Sequence, residues 1–273
     1  MDNNLQMKDI LESPVIDIGT LYDIFTDMDI DDNYREKKFT TYNFNGIPVP
    51  RVSEILKECI GKEALMFWAA KLGTKSMFFE KSKAQTIGTK THERIEHFLL
   101  YGEDLKDNTF NYSKYINIAY NNFKEWLKYI NFKGIFIEEI IAVEVPISCP
   151  YYGGTIDCIA RINGKVYIID FKTSKQISFE YFLQTSAYMW AVNNGFCPDL
   201  PHIDGIGIIR IDKEFKGMFE DVFLNEFIPR QNLIIQEYIK TFGALLNSYY
   251  HIHNCQIQMA NYQKNYRTLG GLS

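Results

Sequence analysis

One stretch of the chain has its local geometry nearly settled by its letters. It reads Gly153-Gly154-Thr155-Ile156-Asp157-Cys158-Ile159-Ala160-Arg161-Ile162, then Asn163-Gly164, then Lys165-Val166-Tyr167-Ile168-Ile169-Asp170-Phe171-Lys172-Thr173-Ser174-Lys175. Asn-Gly between two β-rich runs is the strongest short-range hairpin signal, because both positions of the favoured two-residue turn need positive φ. A turn at Asn163-Gly164 pairs Ile162 with Lys165, Ala160 with Tyr167 and Asp157 with Asp170. Residues directly opposed on neighbouring strands lie about 5 Å apart at Cβ, and like charges there repel. A fold tolerates that repulsion most readily with a cation between the carboxylates. Strand alternation puts Lys172 on the face of Asp170. Two acids and a lysine on one face are the parts of a divalent-metal hydrolytic site. A surface salt-bridge triad is the plainer alternative and would be nearly worthless energetically. Against it, Asp170 closes the apolar run Val166-Tyr167-Ile168-Ile169, at the rim of a core.

Both hairpin strands are apolar on both faces, with Ile156, Cys158 and Ala160 expected one way and Ile159 the other. Helices are therefore expected on both sides of the sheet. The remaining elements fit that picture. Strands are read at Phe39 to Phe44 with a return through Ile47-Pro48-Val49, at Ile135 to Ile147, at Ile203 to Ile211 and at Met218 to Phe223. Helices are read from Ser53 as N-cap, over Glu63 to Leu72, Ser82 to Leu100, Ser113 to Tyr129 and Ser178 to Val192, and over Phe227 to Tyr250 with a break near Pro229. The expected architecture is α/β: a central mixed β-sheet with an antiparallel hairpin, flanked on both sides by helices, with a helical N-terminal part. Residues 1–38, acidic and poor in turn signals, are expected to form an N-terminal arm, and 39–273 a single domain.

Composition narrows the chemistry. With 273 residues and a hydrophobic fraction of 46%, the chain can bury a sizeable core. No apolar run spans a bilayer, and the start lacks the basic and apolar stretches of a secretory signal, so an intracellular, cytoplasmic protein is expected and no membrane partner. The five cysteines show no CxxC spacing, which argues against a zinc knuckle or disulfide framework. The His251-Ile252-His253-Asn254-Cys255 segment reads as a solvated helix end. A net charge of −5 disfavours coating of nucleic acid by bulk charge, though local clusters remain open to it. Lys71, Lys75, Lys81, Lys83 and Lys90 form one such cluster, which suits a solvated helical surface equally well.

At the hairpin the sequence resembles the PD-(D/E)xK nuclease superfamily, and more closely its RecB-type exonuclease branch. The carrying pattern is Gly-Gly-Thr-Ile-Asp157, a spacer, then Ile-Asp170-Phe171-Lys172-Thr173-Ser174-Lys175. The resemblance implies a restriction-endonuclease-like core in which Asp157 and Asp170 bind Mg²⁺ or Mn²⁺ with the Phe171 carbonyl, Lys172 is catalytic, and Thr173 and Ser174 meet a phosphate. Downstream, Gln184-Thr185-Ser186-Ala187-Tyr188 resembles the Gln-x-x-x-Tyr motif of that branch; Gln184 and Tyr188 share a helix face and would contact DNA. Alone, that stretch is an ordinary polar helix edge. Upstream, Gly88-Thr89-Lys90-Thr91-His92-Glu93-Arg94-Ile95-Glu96 resembles the helix that supplies a histidine ligand: His92 would join the metal shell, Gly88 would permit close approach, and Glu96 would orient His92. Glu144, on the preceding strand, is a further candidate for metal or water contact, or else an exposed strand carboxylate.

The resemblance runs from about Tyr42 to Ile211. Within the branch it is greatest to the mitochondrial genome-maintenance exonuclease and its phage and bacterial relatives, through the stretch Tyr42 to Leu56. Some RecB-type nucleases carry a four-cysteine iron–sulfur staple; here the C-terminal part holds only Cys255, so no iron–sulfur cluster is expected. No Gly-x-x-x-x-Gly-Lys-Ser/Thr segment is present, so a helicase partner would be a separate chain. The implied activity is metal-dependent hydrolysis of DNA, as an exonuclease on single strands or ends, in replication, recombination or repair. A non-catalytic binding module on the same fold, an endonuclease, and RNA as substrate remain open. The Asn-, Ile- and Lys-rich composition points to an AT-rich genome, compatible with a phage source.

Overall fold

A computed structural model describes residues 42–60, 74–105 and 111–270. The expected N-terminal arm, the helix at Glu63 to Leu72, Lys71 and the side chain of Lys75 lie outside the described residues. The chain order is β1 (Tyr42–Phe44), β2 (Ile47–Val49), α1 (Val52–Cys59), α2 (Thr74–Tyr101), α3 (Ser113–Phe132), β3 (Ile137–Ser148), β4 (Gly153–Ile162), β5 (Lys165–Lys172), α4 (Phe179–Asn193), β6 (Gly205–Ile211), β7 (Phe219–Asn225) and α5 (Pro229–Gly270). β1 and β2 form a small hairpin. The other five strands form one mixed sheet in the order β3-β4-β5-β6-β7. Only β5 and β6 run parallel, joined by α4 as a crossover helix.

The sheet separates two apolar layers. On one side α1, α4 and α5 pack on Ile159, Val166, Ile168, Ile206 and Ile208. On the other, α2 and α3 pack on Cys158, Ala160, Ile162, Ile169, Phe171, Ile209 and Ile211. Strand β6 is buried along its whole length, as a strand covered on both faces must be. The fold is thus α/β, a mixed sheet between helices, as the sequence predicts. Among the described residues no helix is long and apolar enough to cross a membrane.

Four local expectations are corrected. Ile156 packs in the α4-side layer while Cys158 packs opposite, so side-chain alternation breaks at Asp157 between them. Arg51, not Ser53, is the N-cap of α1, and Ser53 stands in its first turn. Pro229 begins α5 instead of breaking it, since the first helical position needs no N–H. His251 to Cys255 is mid-helix, and His253 is buried with Nε2 3.1 Å from Glu58 Oε2 on α1. Ser178, read as the first residue of a helix, is the N-cap of α4 and accepts the Glu180 N–H.

Candidate active site

Asn163 and Gly164 take φ of 47° and 75°, the positive values a two-residue turn needs. The turn sets the predicted register, Ile162 to Lys165 and Ala160 to Tyr167, and the ladder runs to Cys158 and Ile169. One further step in that register brings Asp157 opposite Asp170. There the ladder gives way to a side chain: Asp157 Oδ2 accepts the backbone N–H of Phe171 at 2.9 Å. The Phe171 ring anchors this end of β5, edge-on to Phe123 and Trp126 at 5.5 and 6.2 Å between centroids.

On the other side of β4, Val143 pairs with Cys158 and Val145 with Ile156. Glu144 between them therefore falls opposite Asp157. Three carboxylates, Glu144, Asp157 and Asp170, stand in a row across three adjacent strands. Glu144 has φ of 49°, a left-handed backbone that costs a non-glycine residue roughly 1–3 kcal/mol and tends to occur where function fixes a side chain. Helix α2 closes the row from above: His92 Nδ1 lies 3.4 Å from Asp157 Oδ2. Ligand-capable atoms of His92, Glu144 and Asp157 all lie within 4.8 Å of one another. These three line a cleft of about 370 Å³ with Gly88, Glu93 and Glu96.

Crowding of acids shows in their proton affinities. Burial, then Asp157, pushes the Glu144 carboxyl up to about 7; Glu96 adds to the effect and His92 opposes it. Asp170 is also raised, chiefly by burial with Asp157 adding, against the pull of Lys172. Asp170 stands outside the His92–Glu144–Asp157 group. Its Oδ1 accepts from Lys172 Nζ at 2.8 Å, while its Oδ2 is buried with no hydrogen-bond partner. An orphaned carboxylate oxygen beside two more acids and an imidazole fits a hard divalent cation, and the single nitrogen donor suits Mn²⁺ as well as Mg²⁺.

Lys172 is held from two sides. Besides Asp170, its Nζ lies 3.3 Å from Gln184 Oε1, and Gln184 Nε2 donates to Tyr188 Oη at 3.0 Å. Burial alone would lower the Lys172 pKa, but Asp170 and Asp157 outweigh it and keep the ammonium ion favoured. The Tyr188 ring is buried against Gly154, and its hydroxyl accepts from Gln184. Thr173 lies beside Gly88, where an added Cβ would sit 3.5 Å from Thr173 Oγ1, an ordinary contact. Ser174 Oγ donates to the Gln176 carbonyl. Two residues of the site escaped the sequence reading. Tyr42 packs over Gly153 and shares a hydrogen bond with Thr155 Oγ1 at 2.8 Å, and the Tyr181 ring lies 5.0 Å from Lys172 Nζ. Tyr181 sits two turns before Tyr188 on α4, a helical spacing that would have found it; nothing local marks Tyr42.

No protein-family model matches the chain. Over 159 residues it is 27% identical to mitochondrial genome maintenance exonuclease 1 of Homo sapiens. That match takes in 54% of this chain and 44% of that protein, so it spans less than half the relative's length. Among solved structures the chain is similar to a phage-related exonuclease from Haemophilus somnus 129PT, with 15% identity, 79% of this chain and 97% of that chain covered, and a TM-score of 0.33.

Proposed function

We propose that the chain is a Mg²⁺- or Mn²⁺-dependent deoxyribonuclease that removes nucleotides from single strands or ends. The observation that carries this reading is the row Glu144–Asp157–Asp170, capped by His92 at one end and by Lys172 at the other. The likeness to a named exonuclease supports it.

His92, Asp157 and Asp170, with the Phe171 carbonyl, would hold the ion, and Glu144 joins them by position. Bound there, a divalent cation polarises the phosphoryl oxygens and lowers the pKa of water. The chain's own residues do the rest. Asp157, fixed by the Phe171 N–H, is held facing the end of β5. Lys172, as an ammonium ion oriented by Asp170 and Gln184, donates to the attacking water or to the phosphate as negative charge builds. Glu144, opposite Asp157 across the β3–β4 pair, is the acid placed to accept a proton from that water. Tyr188 keeps Gln184 turned to Lys172.

The test is digestion of end-labelled single-stranded, duplex and circular DNA by purified protein with Mg²⁺, Mn²⁺ or EDTA. Metal-dependent shortening from ends is expected. Cleavage of circles would remove the exonuclease assignment, and cleavage undiminished in Asp170→Ala would remove the site. Mn²⁺ binding without cleavage of any strand would favour a binding module.

A further inference from the structure

Beyond the carboxylate row, β5 runs out through Thr173 and Ser174 to Lys175. Facing this exit across a cleft of about 250 Å³ is the β6–β7 turn, which contributes Lys213 and Phe215. The cleft adjoins the carboxylate site, because Thr173, on its wall, lies beside Gly88, on the wall of the other.

The turn is exposed, yet it is pinned from inside. Asn122 of α3 is 1% exposed and faces the turn with its whole amide. Its Nδ2 lies 2.8, 2.7 and 3.2 Å from the carbonyls of Asp212, Phe215 and Met218. Its Oδ1 accepts the Gly217 N–H at 2.7 Å. Asp212 adds a second clamp: Oδ1 accepts the N–H groups of Glu214 and Phe215, and Oδ2 pairs with buried Arg210 at 3.1 Å. Asp212 is therefore spent on the turn and on Arg210. A buried asparagine and a buried ion pair thus hold an irregular loop in one shape, and that shape leaves the Phe215 ring 61% exposed at the mouth of the cleft.

Lysines of three elements reach the same mouth, where Glu214 also lines the wall. The Lys213 pKa is lowered, by burial first, with Lys175 of β5's exit and Lys83 of α2 adding to the effect against Glu214 and Asp212. Lys83 sits over the Tyr115 ring at 4.7 Å, close to the same opening. A rigidly held, outward aromatic ring with ammonium groups beside it matches the two halves of a nucleotide, a π-face and a phosphate.

We propose that this cleft seats one unpaired nucleotide of the DNA strand adjoining the nucleotide being cut, Phe215 stacking on its base and Lys175 and Lys213 contacting its phosphate. The proposal rests on the nuclease reading of the neighbouring carboxylates. It gives that reading a strand preference, because a base inside a duplex offers no free face to Phe215.

The test measures binding of fluorescent oligo(dT) in Ca²⁺ and cleavage in Mg²⁺ or Mn²⁺, for the wild type, Phe215→Ala, Phe215→Tyr and the double variant Lys175→Gln/Lys213→Gln. Phe215→Ala should weaken oligo(dT) binding on the order of 10-fold. It should leave blunt duplex binding unchanged, and Phe215→Tyr should restore the loss. The lysine double variant should reduce the slope of log affinity against log salt by roughly one to two. Wild-type binding and cleavage in Phe215→Ala would overturn the subsite while leaving the nuclease reading intact. A wild type that cuts no DNA with either metal would overturn the nuclease reading itself. Tighter binding of oligo(rU) than of oligo(dT) would overturn the assignment to DNA.

Discussion

The ring of Tyr188 occupies the space that a side chain at position 154 would need: a Cβ on Gly154 would come within 2.4 Å of it. The same holds for Gly153 and Tyr42 at 2.5 Å. The Gly-Gly pair ahead of Asp157 is thus a packing demand, which lets two tyrosines close on β4 from the α4 side and the β1–β2 hairpin.

Gly154→Ala should accordingly destabilise the protein by roughly 1–3 kcal/mol through overpacking. It should also lower activity, because the displaced Tyr188 hydroxyl releases Gln184 and with it Lys172. Tyr188→Phe keeps the ring and removes only the hydrogen bond, so it should cost about 1 kcal/mol or less while still reducing kcat. Thermal denaturation beside kcat and KM on an oligonucleotide separates the two; a Gly154→Ala protein of wild-type Tm would contradict the packing.

Glu144→Gln should stabilise the metal-free protein, since it relieves repulsion with Asp157 and Glu96 without changing shape. It should also weaken Mn²⁺ binding in isothermal titration. Loss of affinity with no gain in metal-free Tm would mean that Glu144 is not under electrostatic strain.

The same carboxyl gives a pH dependence of definite sign. Its folded pKa, about 7, lies above the ordinary value of 4.5, so between those values the folded state binds more protons than the unfolded. Stability of the metal-free protein contributed by this group is therefore full below about pH 4.5 and is lost as pH rises through 7. Asp170, also raised, acts in the same direction. Saturating Mn²⁺ should reverse the trend, because binding requires the deprotonated acids. Melting curves from pH 5 to 8 with EDTA and with Mn²⁺ should converge at the acid end and diverge as pH rises; parallel curves would speak against a metal held by these groups.

Lys172→Ala should lower kcat on the order of 10²–10³-fold, the effect of removing one donor aimed at developing charge. It also leaves Asp170 buried without its ion partner. Asp170→Asn/Lys172→Met, which removes both charges, should be more stable than Lys172→Ala and equally inactive. Chemical denaturation of the three proteins checks the order.

Legibility in the sequence followed the range of the interaction. The Asn163-Gly164 turn and the alternation around Asp170 and Lys172 are local, and the hairpin register could be counted from them. Glu144 could not be placed opposite Asp157 by counting, because β3 shifts register twice against β4, between Ile137 and Glu139 and between Ile140 and Ala142. The burial of His253 depends on α1 meeting α5, some two hundred residues apart in the chain. The face that Tyr188 shares with Gln184 follows from their spacing; its burial comes from Gly154 on a strand that precedes it.

The turn at Asn163-Gly164 has a consequence for evolution and engineering alike. It stands six residues from Asp157, about 20 Å away at strand rise, yet it works as the gauge that decides which atom of β5 meets Asp157. Gly164, at φ of 75°, resists replacement by any residue with a side chain. One residue more or fewer in the turn would exchange the two faces of β5 and present Ile169 and Phe171 where Asp170 and Lys172 now stand. The distance between the two aspartates is thereby tuned from the far end of the hairpin, where mutations would alter it without touching either carboxylate.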